Sequence, residues 1–190
     1  LITLLFGIGF AIERSYSLMM SDVDSQTFFD EITSAIDENG ATSAVQLCKE
    51  TEGPVSAIFH AGLSRMHRGL GDVEKAIQNA GSIEMAFLEK NMIWLNAVIT
   101  LAPMLGFTGT VVGMISAFDA IKAANDISPA VVAGGISQAL LTTAFGLIVA
   151  MIIQTCQNLF VSRIDKLVLD MEEQSVKIMD HLYEQEIQKK

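Results

Sequence analysis

Residues 91–118, NMIWLNAVITLAPMLGFTGTVVGMISAF, form a run of 28 residues without a charge, and residues 127–162 form a second run of 36. A soluble helix of either length needs a charged face, so lipid is the simplest host for both. The whole chain of 190 residues is 51% hydrophobic and 18% charged, with a mean hydropathy of +0.42. A purely soluble globular domain and a disordered chain are both excluded by that distribution. Cys48 and Cys156 are far apart and fit neither a CxxC nor a zinc spacing, so no disulfide framework or metal site is indicated.

Working outward, the flanks of the two runs set an orientation. Residues 13–92 carry six Lys/Arg and thirteen Asp/Glu, residues 119–129 carry one Lys and two Asp, and residues 162–190 carry five Lys/Arg and seven Asp/Glu. Topology follows the basic residues near the membrane, and acids contribute little. Lys75 and Lys90 precede the first run, Arg163, Lys166 and Lys177 follow the second, and Lys122 stands alone between them. Residues 13–92 and the C-terminus are therefore expected in the cytoplasm, with 119–129 outside. The net charge of −10 argues against a nucleic-acid partner.

The opening segment, LITLLFGIGFAI, ends at Glu13-Arg14. Twelve residues reach about 18 Å, short of a hydrocarbon core of about 30 Å. It reads either as a buried or interfacial segment or as the inner half of a transmembrane helix whose start is missing. The charge pair at its end favours the second. Residues 22–72 then read as short amphipathic helices between breakers. Phe28, Phe29, Ile32 and Ile36 share a face before Asn39-Gly40; Ala44, Val45, Leu47 and Cys48 precede Gly53-Pro54. Val55, Ile58, Phe59, Gly62, Leu63 and Met66 recur at helical spacing up to Gly69. Asp72 is the expected N-cap of a helix running unbroken from about 72 to 120, with a kink at Pro103. Ser128-Pro129 is the expected start of the last helix, continuing to about 185 with Leu167, Met171, Ile178 and Leu182 on one side.

The fold class that follows is an all-α membrane protein. It has three transmembrane helices, the first truncated, and two very long helices that extend into a helical cytoplasmic domain. The expected division is 1–12, part of the first transmembrane helix; 13–90, cytoplasmic; 91–118, second transmembrane helix; 119–128, periplasmic loop; 129–161, third transmembrane helix; and 162–190, cytoplasmic helical tail.

Small and polar residues cluster inside the long runs. They are Gly106, Thr108, Gly109, Thr110 and Gly113 on the first, and Gly134, Gly135, Ser137, Gln138, Thr142, Thr143 and Gly146 on the second. Gly109 and Gly113 form a GxxxG pair, and Gly135, Ala139, Thr143 and Gly146 form a small-residue stripe. Such residues let membrane helices approach closely, with hydrogen bonds worth about 0.6–2 kcal/mol. Patterning alone favours that packing role for Gly106, Gly109, Gly113, Gly135 and Gly146. The sharper reading places some of the hydroxyls along a wet path between helices.

Residues 102–118, APMLGFTGTVVGMISAF, closely resemble a signature of the ExbB/TolQ/MotA proton-channel family, and residues 134–147, GGISQALLTTAFGL, resemble its second signature. Three spans are closer to the ExbB/TolQ type than to the four-span MotA type. The resemblance implies a multi-pass subunit of a motor in the bacterial inner membrane, involved in transport or envelope work. It further implies a homo-oligomer, a pentamer, around single-span partners of the ExbD/TolR type that supply an intramembrane Asp, and an energy-transducing protein of the TonB/TolA type. By match to the motifs, Thr110 and Thr143 correspond to pore threonines, with Thr142 beside them. Gln138 stands where ExbB and TolQ usually have a glutamate, and glutamine cannot titrate.

Neither run contains Asp, Glu, Lys, Arg or His. A charge at the bilayer centre costs about 2.5–3.5 kcal/mol on insertion scales, so membrane carboxylates usually mark ion pathways. This chain offers hydroxyls and an amide only, and the expectation is that a partner carboxylate titrates while Thr110, Gln138 and Thr143 face it. A partner Asp can serve H⁺ or Na⁺; oxygen ligands suit Na⁺, and H⁺ is favoured. A structural scaffold without ion conduction is the alternative. No nucleophile–base set, metal set or phosphate loop points to an enzyme, and no cofactor is expected. His60 and His67, seven apart on one expected helix, read as surface or packing residues, and the ten methionines as core filler. Trp94 reads as an interface anchor or a bundle residue.

Overall fold

A computed structural model describes residues 2–21, 24–124 and 129–188. The helices are α1 (Ile2–Met20), α2 (Ser25–Asn39), α3 (Ala41–Glu50), α4 (Pro54–Leu63), α5 (Leu70–Leu88), α6 (Met92–Ala124) and α7 (Pro129–Gln188), with a 3-10 turn at Met66–Arg68 between α4 and α5. No strand occurs among the described residues. Three helices are long and apolar enough to cross a membrane. The chain is an all-α membrane protein. It divides into two compact units: Leu1–Arg14 with Asn91–Leu159, the membrane unit, and Ser15–Lys90 with Phe160–Lys190, the polar unit.

The breakers act as their chemistry dictates. Gly40, at φ +80°, ends α2 and opens α3, and Gly53, at φ +139°, delivers the chain to Pro54 at the first position of α4. Glycine takes such angles without the steric cost of a Cβ. Asp24 caps α2: Thr27 donates to it through its hydroxyl at 2.7 Å and its backbone N–H at 3.4 Å. These bonds hold the Asp24 carboxyl below the usual carboxylate range. A folded-state pKa below the unfolded one stabilises the fold above the unfolded value and loses that contribution as pH falls through the folded one. Asp24→Ala should therefore lower the melting temperature at neutral pH, and the gap to wild type should close on acidification. Thermal unfolding followed by circular dichroism across pH checks both halves of that statement.

Two sequence expectations are corrected. The unbroken helix from 72 to 120 is interrupted between Leu88 and Met92, where Asn91 adopts φ +66°. Asn is the residue after Gly that best tolerates this left-handed region, and no Pro or Gly marks the break. Asp72 is not the N-cap of α5. Gly69, at φ +101°, takes that position and Asp72 lies in the first turn, its N–H bonded to the Gly69 carbonyl. Asn91→Gly should leave the break intact, whereas Asn91→Val should cost about 1–2 kcal/mol, the penalty for a Cβ in the left-handed region. Unfolding of the two variants in detergent measures the difference.

The polar unit is built on the expected apolar faces. Phe28, Ile32 and Ile36 of α2, Val55, Ile58 and Phe59 of α4, and Leu167, Met171, Ile178 and Leu182 of α7 are buried. Phe28 stacks on Phe59 with ring centres 6.0 Å apart. Gly62 lets α5 close on α4, since a Cβ there would come within 2.6 Å of Ile77. Ser56 donates its hydroxyl to the carbonyls of Cys48 and Thr51, satisfying a buried polar atom. Burial pushes the Cys48 thiol up to about 12. His60 lies on α4 and His67 in the 3-10 turn, so the two do not share a helix. At the far end of α7, His181 meets Asp37 of α2 at 3.1 Å and Gln185 donates to the same carboxylate.

Helix α1 continues through Glu13-Arg14 to Met20. Arg14 is only 2% exposed and pairs with Glu13 at 3.0 Å, while Asn91 donates to Glu13 at 3.2 Å. The charge pair is thus fastened to the residue that precedes α6. Helix α7 starts at Pro129; Ser128, its expected N-cap, and the 125–128 part of the expected loop lie outside the described residues.

Candidate functional site

In the membrane unit α6 and α7 run antiparallel, and glycine sets their separation. A Cβ added to Gly135 would lie 2.3 Å from the Ala117 Cβ, and one on Gly113 would lie 3.0 Å from the Ala139 Cβ. On Gly109 it would meet the Thr142 hydroxyl at 2.5 Å; on Gly106, the Thr143 Cα at 3.0 Å; on Gly146, the Ala102 carbonyl oxygen at 2.5 Å. All five glycines therefore occupy one seam where backbone meets backbone, the geometry small residues permit in lipid. Pro103 lies inside α6, which continues across it. Helix α1 joins through Gly7, where a Cβ would approach Ile153 at 2.8 Å and Val98 at 3.2 Å. Trp94, 47% exposed, sets its ring against Phe6 and Phe10 of α1, with ring centres about 6 Å apart.

The hydroxyls are placed unequally. Thr143 donates to the Gly106 carbonyl at 3.1 Å, and Thr142 lies 3.4 Å from the same oxygen while donating to Ala139 at 2.7 Å. Thr110 donates to the Phe107 carbonyl of its own helix at 2.7 Å, and Thr108 to Met104 at 2.9 Å. Gln138 is exposed. At about 100° per residue, Thr110 lies about 60° from the glycine line of α6, and Thr143 lies about 70° from that of α7. Because the helices are right-handed and antiparallel, both displacements fall on the same edge of the seam. Val98, which meets Gly7 of α1, belongs to the opposite edge of α6. Gln138, five residues before Thr143 and so about 140° round the helix, falls on that opposite edge too.

On regular helix geometry Thr110 and Thr143 thus fall on the same edge of the seam, within about one turn of the same level, on the side away from Val98 and its α1 contact. Thr142 sits in the seam, and Gln138 is not part of the threonine face. That distinction needs the pairing register of two helices and was not available from either run alone. A further polar pair has no motif to mark it in the sequence: Gln157 of α7 donates to Asn96 of α6 at 2.9 Å, and its own buried carbonyl oxygen has no hydrogen-bond partner among the described residues. No group of three or more His, Cys, Asp or Glu able to hold a metal ion occurs among the described residues.

Against known proteins, residues 50–173 match the MotA/TolQ/ExbB proton channel family, a stretch that includes both glycine-and-threonine segments. The chain belongs to this family. It is 32% identical over 162 residues to a biopolymer transport protein ExbB homolog of Methanothermobacter thermautotrophicus, an alignment covering 85% of this chain and 57% of the relative. The Tol-Pal system protein TolQ of Haemophilus influenzae is 30% identical over 150 residues, 73% of this chain and 66% of that protein. The biopolymer transport protein ExbB of Xanthomonas campestris pv. campestris (strain B100) is 38% identical over 78 residues, 41% of this chain and 31% of its own length. The chain spans a little over half the length of the archaeal relative.

Proposed function

We propose that the chain is the channel-forming, stator-like subunit of an ion-driven motor in the bacterial inner membrane, of the ExbB/TolQ type. Copies of it, five by the resemblance, surround a single-span partner of the ExbD/TolR type, and the work passes to a protein of the TonB/TolA type. Residues 13–90 and the C-terminus face the cytoplasm. What supports this reading is the Thr143 hydroxyl at the Gly106 carbonyl, with Thr110 on the same edge of the seam by helix geometry, in a helix pair whose charge-free runs contain no Asp, Glu, Lys, Arg or His. Such a face can hydrate or coordinate an ion but cannot carry a proton itself, so the titrating carboxylate is the partner's Asp. Each charge moved through 100 mV supplies about 2.3 kcal/mol, enough to bias a rotation against small packing barriers.

A second reading has its own observation. Thr142 and Thr143 both reach the Gly106 carbonyl across the seam, which is what a purely structural membrane scaffold would need. Reconstitution separates the two. The chain with its partner in proteoliposomes should pass ions under an imposed potential, and a scaffold should pass none. Exchanging Na⁺ for K⁺ at a fixed proton gradient should leave the flux unchanged if H⁺ is carried, and abolish it if Na⁺ is.

A further inference from the structure

The edge of the α6–α7 pair that carries the threonines has a second polar level. Asn96 lies fourteen residues before Thr110 on α6, and Gln157 lies fourteen residues after Thr143 on α7. Fourteen residues return a side chain to within about 40° of its starting line in a straight helix, and to that line in a left-handed supercoil. The two side chains meet across the helices, Gln157 donating to the Asn96 side-chain oxygen at 2.9 Å. They stand about 21 Å from the threonines, near the start of α6. Thr100 and Gln154 fall between the two levels, about 80° and 20° from the threonine lines and away from the seam. Thr108 and Thr155 lie on other faces, and each donates to a carbonyl of its own helix. Pro103, seven residues from both Thr110 and Asn96, has no N–H to give the Ile99 carbonyl, so a backbone acceptor without its helical donor falls in the interval.

An amide pair between membrane helices is commonly structural glue, and as glue this one is poor. The buried Gln157 oxygen has no hydrogen-bond partner among the described residues, while Asn96 is exposed. A buried carbonyl left unpaired costs more than one interhelical bond returns in a membrane. The chemistry suits an outlet better. Amide and hydroxyl oxygens hydrate or coordinate a cation, and the lack of a fixed charge lets it leave again. Length points the same way. The charge-free run 127–162 reaches about 54 Å, well beyond a hydrocarbon core of about 30 Å. Lipid alone does not keep charge out of its last turns, where Gln154 and Gln157 stand. We propose that Asn96, Thr100, Gln154 and Gln157 form the water-filled outlet by which the ion, once past the Thr110–Thr143 edge, reaches the cytoplasm. The outlet rests on the motor reading, but its central contact lies within one chain and does not depend on how copies assemble.

The test uses the full chain with its partner in inside-out vesicles of the host membrane. Cys156→Ser is the parent, and Cys48 stays silent because it is buried and its thiol is pushed up to about 12. Gln154→Cys is compared with Leu159→Cys, a 67% exposed position about 160° round α7 from the Thr143 line. Leu159 lies five residues nearer the end of the charge-free run, so depth alone would favour its reaction with a reagent from the water. A positively charged methanethiosulfonate should instead modify Gln154→Cys about tenfold faster, and that adduct should cut the ion flux about tenfold. Asn96→Leu and Gln157→Met keep the shape and remove the amide. Each should lower the flux about tenfold while the melting temperature changes little. Modification of Leu159→Cys as fast as that of Gln154→Cys, or undiminished flux in both amide variants, would overturn the proposal. Flux in the parent with equal labelling of the two cysteines removes the outlet alone. No flux in the parent removes the motor reading, and the outlet with it.

Discussion

Gly135→Ala should separate the two long membrane helices, whereas Gly134→Ala should leave them together. The two glycines are adjacent in sequence, and only their neighbours differ. A Cβ on Gly135 would stand 2.3 Å from the Ala117 Cβ and 3.3 Å from the Ala117 Cα, atoms that no rotamer change can move aside. A Cβ on Gly134 meets nothing within 4 Å. Overpacking of this kind costs about 1–3 kcal/mol, and in a seam five glycines long the whole α6–α7 register must open to relieve it. At Gly134 the same methyl removes a flexible residue from a helix interior, a gain of about 0.5–1 kcal/mol. Thermal unfolding in detergent should therefore move in opposite directions for the two variants. Gly146→Ala should resemble Gly135→Ala, since its Cβ would lie 2.5 Å from a backbone oxygen.

Thr143→Val should have a small effect on folding and, on the proposed ion path, a large one on ion flux. The variant keeps the shape of threonine and removes one hydroxyl. In packing terms it loses the 3.1 Å bond to the Gly106 carbonyl, and interhelical bonds in membranes average about 0.6 kcal/mol. In transport terms it removes an oxygen from the path of a charged species, and hydrogen bonds to charged groups are worth about 1.5–3 kcal/mol. With about 1.4 kcal/mol per factor of ten in rate, flux should fall roughly ten- to a hundredfold while the melting temperature barely moves. Thr110→Val should behave likewise, because Thr110 shares the same edge and bonds only within its own helix. Thr143→Ser should retain flux. Unimpaired transport in both valine variants would remove the threonines from the pathway.

Much of the fold was legible because lipid imposes a simple pattern. Charge-free runs of 28 and 36 residues have few other homes, and Gly40, Gly53 and Gly69 stand at helix boundaries through backbone chemistry readable one residue at a time. The break at Asn91 was not readable, since an asparagine in a continuous apolar pattern carries no breaker signal. Its left-handed angle is accompanied by a tie to Glu13, 78 residues away. The depth of Arg14 was hidden for the same reason: an arginine beside a glutamate looks like an interface marker until its surroundings are known. For the candidate site, the motifs singled out residue types able to hydrate or coordinate an ion. Only the antiparallel register assigned Thr110 and Thr143 to one edge and Gln138 to the other.

The central claim is that the two charge-free runs line an ion path while the carboxylate that titrates in it comes from the partner. Proton flux into proteoliposomes under an imposed potential tests it most directly. Three preparations are compared: the chain alone, the chain with its single-span partner, and the chain with that partner's intramembrane Asp changed to Asn. The account predicts flux only in the second. Equal flux from the chain alone, or undiminished flux with the Asn partner, would contradict it.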